Sequence, residues 1–113
     1  MPGYIAFLVD IQNAAAFSEY GKAAASTYGT YGGRILFRGP IVEVAEGALD
    51  VGEDTRLVVL EFPSLDQAHA WWNSEEYRPL VKLREPPVSQ SRVFFIDGLP
   101  DPMRHTLPAS PTQ

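Results

Sequence analysis

Tyr28-Gly-Thr-Tyr-Gly-Gly-Arg-Ile-Leu-Phe-Arg-Gly39 is the stretch whose reading decides the fold. Its glycines at 29, 32 and 33 stop a helix and make a turn. A strand follows over Arg34–Arg38. Regular pleating would put Arg34, Leu36 and Arg38 on one face, and Ile35 and Phe37 on the other. The chain before this stretch therefore reads strand then helix, and the chain after it reads strand, strand, helix, strand.

On the N-terminal side, Tyr4–Ile11 is short, apolar and almost free of alternation, the pattern of a central strand buried on both faces. Asn13 is placed to cap a helix from Ala14 to about Thr27. Phe17, Tyr20, Ala24 and Tyr28 share one face of that helix. On the C-terminal side, Gly39-Pro40 interrupts the strand and suggests a bulge or bend, with Ile41–Ala45 extended beyond it. The acidic segment Glu46–Asp54 reads as a hairpin connection. Arg56–Phe62 is the strongest strand, with Leu57, Val59 and Glu61 on one face and Arg56, Val58, Leu60 and Phe62 on the other. Ser64 and Gln67 form a capping box for a helix bearing Leu65, Ala68 and Trp72. Ser74 looks like a second cap, for a helix carrying Tyr77, Leu80, Val81 and Arg84, with a break expected at Pro79. Arg92–Asp97 is the last strand.

The order βαββαβ with right-handed crossovers is a ferredoxin-like α+β fold. It has a four-stranded antiparallel sheet, spatial order 4-1-3-2, and both helices on one face. Residues 1–98 make this domain. Residues 99–113, rich in proline, read as an extended or disordered tail. The strands are apolar on both sides, and an uncovered apolar sheet face exceeds what a monomer tolerates. The predicted assembly is a homodimer joined sheet to sheet, a dimeric α/β barrel, with any pocket belonging to that pairing. Trp71 is directed away from Trp72, toward an interface.

The net charge of −5 argues against nucleic acid and anionic membranes as partners. Without cysteine, thiolate chemistry and disulfides are excluded. No apolar run approaches the roughly 20 residues that span a bilayer, and a soluble, cytoplasmic protein is the expectation. His69 and His105 have no second ligand at metal spacing, so neither a metal nor an organic cofactor is implied. Phosphate-loop, dinucleotide and nucleophile-elbow motifs are missing.

The candidate chemistry is carried by few side chains. Arg34 and Arg38 either hold a small organic anion, for which a planar fork is suited, or pair with acids at the sheet edge. Glu61 interrupts an apolar strand. It is either a general acid/base or one half of a structural ion pair with Arg34 or Arg56. Tyr31, Trp72 and Tyr77 either wall a ligand site, with Tyr31 a second proton-moving group, or pack between helix and sheet.

The segments Tyr31-Gly-Gly-Arg-Ile-Leu-Phe-Arg-Gly39, Glu46-Gly47, Arg56 through Glu61-Phe-Pro-Ser-Leu65, and Ala70-Trp-Trp-Asn-Ser-Glu-Glu-Tyr77, in this order, resemble the family known as domain of unknown function 1330 over roughly residues 2–98. The resemblance implies membership of the dimeric α/β-barrel superfamily, whose activities range from antibiotic-biosynthesis monooxygenases to haem degradation, lactone isomerisation and stress response. Fold alone does not choose among them. Two functions are therefore expected. One is a cofactor-independent enzyme acting on a small, anionic, largely apolar organic molecule. The other is a non-catalytic dimeric small-molecule-binding or stress-response module.

Overall fold

The structure, a computed structural model, describes residues 1–99; the expected tail lies almost wholly outside them. Strand β1 (Gly3–Ile11) leads into helix α1 (Ala14–Tyr28), where the Asn13 side chain accepts from the Ala16 amide at 3.0 Å. A 3₁₀ turn (Gly29–Tyr31) closes α1. Gly32 then takes φ +78°, which favours glycine, and the Gly33 amide donates to the Tyr28 carbonyl at 2.9 Å. Gly33 has a different reason: a Cβ there would sit 2.5 Å from the Phe62 ring.

Strands β2 (Arg34–Pro40) and β3 (Thr55–Phe62) come next, then helix α2 (Leu65–Trp72) and strand β4 (Ser89–Asp97). Ser64 caps α2 by accepting from the Gln67 amide at 3.1 Å. The sheet order is β2-β3-β1-β4, the predicted 4-1-3-2 read from its other edge, and every pairing is antiparallel.

Three local expectations are corrected. Residues 41–45 form no strand, and the connection to β3 is irregular throughout. The second helical segment is α only as far as Trp72. Beyond Ser74, whose Oγ accepts from the Tyr77 amide at 3.1 Å, the chain winds as a 3₁₀ helix over Arg78–Arg84. Pro79 falls at the start of that helix, where a missing amide costs nothing. Trp71 lies at no surface: it is fully buried, with its ring 3.9 Å from that of Tyr77.

The fourth correction bears on function. A bulge lies between Ile35 and Phe37, so that Leu36 is the extra residue in the ladder. Beyond it the faces exchange relative to regular alternation. One face carries rows running across all strands: Arg34-Glu61-Tyr4-Ile96, then Phe37-Val59-Ala6-Phe94, then Gly39-Leu57-Leu8-Arg92. The other carries Ile35-Leu60-Ile5-Phe95 and Arg38-Val58-Phe7-Val93. Arg34 and Arg38 therefore lie on opposite faces.

The helices cover the second face. There Ile5, Phe7, Val9, Leu60 and Phe62 pack against Tyr20, Ala24, Ala68, Trp71 and Tyr77. The first face is covered by nothing among the described residues, and Phe37, Phe94 and Ile96 on it are each about half exposed (49%, 49% and 46%).

Candidate functional site

A cavity of about 560 Å³ lies between α1 and the helix-facing side of β1, β3 and β2. Its volume falls within the range of small-molecule sites. Phe7, Ile35, Val58 and Leu60 form the sheet wall; Phe17, Ala24 and Tyr28 form the helix wall. Helical spacing is why Phe17, Ala24 and Tyr28 reach the same space. The bulge is why Arg38 reaches it.

The cavity's charges are all of one sign. Lys22, Arg38 and Arg56 are among its lining residues, and among the described residues no Asp, Glu or His is. Lys22 pairs with Glu19 at 3.6 Å on the exposed side of α1, and Arg56 donates to Asp54 at 2.8 Å. Arg38 has no carboxylate within ion-pair distance among the described residues. Burial pushes the Tyr28 phenol above its ordinary value, and the nearby Arg38 charge offsets part of that. Tyr20 is pushed up much further, first by burial and then by the neighbouring Tyr77. Both phenols are held neutral, as donors, at physiological pH.

The residues singled out in the sequence do not converge. Glu61 lies on the uncovered face, ion-paired with Arg34 at 2.5 Å and accepting from the Tyr4 hydroxyl at 3.2 Å. This is the structural ion pair, not a carboxylate facing the cavity. Tyr31 is at the surface, donating to Glu76 at 3.0 Å, and that hydrogen bond is the main reason its phenol is raised. Trp72 is half-buried, with the Arg78 guanidinium 4.8 Å above its ring and Phe95 against its edge. Tyr77 is fully buried; its hydroxyl lies 2.8 Å from that of Tyr20 and accepts from Arg84 Nε at 3.2 Å. Of the expected set, only Arg38 lines the cavity. Tyr28 and Arg56 were missed as site residues, although each was legible as a polar-tipped member of an otherwise apolar face. Among the described residues no cluster of His, Cys, Asp and Glu is arranged to hold a metal ion.

The family model "Domain of unknown function (DUF1330)" matches residues 2–99. The chain belongs to the DUF1330 family. No curated protein matches this DUF1330 chain. Solved structures resemble it in fold. One is the RPA0582 protein of unknown function from Rhodopseudomonas palustris, with TM-score 0.71 and 23% identity over 88% of this chain and 84% of that one. Another is SnoaB, a cofactor-independent oxygenase from Streptomyces nogalater (TM-score 0.58, 11% identity, 89% and 94% covered). A third is a dimeric ferredoxin-like protein of unknown function from Thermobifida fusca (TM-score 0.59, 12% identity, 86% and 91% covered). At such identities the likeness is one of fold.

Proposed function

We propose that this DUF1330 chain binds a small, largely apolar organic anion in the cavity beside α1, and that it does so as a homodimer joined through the uncovered sheet face. The observation that carries the first part is the charge of the wall. In a protein of net charge −5, an apolar cavity is lined, among the described residues, by three cations and no acid. Arg38 is the one cation there without a protein carboxylate among the described residues. An unpaired guanidinium beside apolar surface suits a ligand carboxylate or enolate, which its fork engages with two donors.

The dimer is supported by the row Phe37-Val59-Ala6-Phe94, flanked by Leu57 and Leu8, which leaves an apolar sheet face in water. The Thermobifida protein of the same fold is called dimeric. Packing two such faces together removes both from solvent at the usual sheet spacing of about 10 Å.

Between enzyme and non-catalytic module, one observation favours the module. The expected acid/base group, Glu61, is pinned to Arg34 and Tyr4 on the far side of the sheet, and among the described residues the cavity wall supplies neutral hydroxyls (Ser18, Tyr20, Tyr28) and cations but no carboxylate or imidazole. Such a wall holds an oxyanion well, but it has no base to take a proton at neutral pH. Calorimetric titration with 2-naphthoate tests the reading. A charge-assisted pair contributes about 1.5–3 kcal/mol, so Arg38→Ala should weaken binding by about tenfold to a hundredfold. Arg34→Ala, across the sheet, should leave it unchanged. The reverse pattern would move the site to the other face.

A further inference from the structure

Arg84 is a buried guanidinium with no carboxylate within ion-pair distance among the described residues. Its guanidinium carbon lies 5.6 Å from the centre of the Phe7 ring and 5.8 Å from those of Tyr20 and Trp72. Its Nε donates to the Tyr77 hydroxyl, which is 2.8 Å from the Tyr20 hydroxyl. The ring faces offset part of the cost of burying that charge, and no carboxylate among the described residues offsets the rest.

The hydrogen count shows where the field of that charge is directed. A guanidinium only donates, so the Tyr77 oxygen accepts from it. Each phenol has one hydrogen, and the Tyr20–Tyr77 hydrogen bond consumes one of the two. If Tyr20 were the donor, the hydrogen of Tyr77 would be stranded in a fully buried position, a loss of about 1–3 kcal/mol. If Tyr77 is the donor, the spare hydrogen belongs to Tyr20, which is one of the residues lining the α1 cavity. The chain of donors then runs from Arg84 through Tyr77 to Tyr20, each bond polarising the next.

We propose that Tyr20 is a ligand-binding residue, donating its free hydrogen to a second oxygen of the molecule whose acidic group Arg38 holds, with Tyr77 and Arg84 as the positioning residues behind it. This rests on the anion-binding reading above and narrows its ligand class. The occupant is a flat, mainly apolar acid with a phenolic, enolic or keto oxygen at its opposite end. Partial negative charge on that oxygen also gives Arg84 the counter-charge that the described residues do not supply.

The test compares two probes, 2-naphthoate and 6-hydroxy-2-naphthoate, by calorimetric titration of wild type, Tyr20→Phe, Tyr77→Phe and Arg38→Ala. Wild type should prefer the hydroxylated acid by about tenfold. Tyr20→Phe should abolish that preference while leaving the affinity for 2-naphthoate within about twofold. Tyr77→Phe should reduce the preference without touching Tyr20. Arg38→Ala should weaken both acids alike and leave their ratio intact. A purely structural role for Tyr20 would weaken both probes equally and preserve the ratio, and that outcome, or no change at all, overturns the assignment of Tyr20 alone. Failure of wild type to bind either acid overturns the anion-binding reading and this inference with it.

Discussion

Among the phenols raised in the fold, Tyr20 bears most on the alkaline limit of this protein. Its phenol is raised well above the ordinary value of about 10 by burial and by Tyr77. A raised folded value means that the folded chain holds the proton more tightly than the unfolded chain. The resulting stability is complete below about pH 10 and is lost as pH rises toward the folded value. Each such phenol adds a slope of up to about 1.4 kcal/mol per pH unit. Urea melts between about pH 9 and 11 should therefore show a steeper loss for wild type than for Tyr20→Phe; parallel curves would mean that Tyr20 ionises freely in the fold. Gly33→Ala is a second residue-scale case. The added methyl meets the Phe62 ring at 2.5 Å, and overpacking of this kind costs about 1–3 kcal/mol. A substitution without effect on the urea midpoint would show that the ring moves aside freely.

At the scale of elements, the helix starts were legible because their chemistry is local. Asn13 and Ser64 make the predicted caps, and Ser64→Ala should cost about 1 kcal/mol in urea denaturation; no loss would mean that water replaces the hydroxyl. The bulge in β2 was not legible at its true position. Gly39-Pro40 announced an irregularity, but the doubled residue is Leu36. Alternation reveals a bulge only where it brings two polar or two apolar residues into conflict with the faces they occupy. Leu36 and Phe37 are both apolar, and the face beside them is apolar too, so nothing marked the slip. That one-residue error paired Arg34 with Arg38 and hid Arg38 as a cavity residue. The 3₁₀ winding of Arg78–Arg84 was similarly hidden, because Tyr77, Leu80, Val81 and Arg84 satisfy a helical spacing of either kind.

For the whole molecule, the two-sided apolar sheet was the feature most legible in sequence, since it depends on composition by strand and not on register. Strands β1 and β3 are central, and both faces of the sheet are apolar. Light scattering should return twice the chain mass, and Phe94→Glu should shift the population to monomer by placing a carboxylate on the apolar face that the proposed pairing would bury; an unchanged dimer would locate the interface elsewhere. The cavity, by contrast, sits inside one chain, where the sequence had pointed to a pocket belonging to the pair. Cavity and proposed dimer face thus share a partition a single sheet thick. On β1, Phe7 borders the cavity while Ala6 and Leu8, its immediate neighbours, lie on the uncovered face. If the proposed ligand and pairing both hold, a guest that nudges that thin wall would shift the grip of one protomer on the other, and by reciprocity dilution of the protein would loosen its hold on the guest.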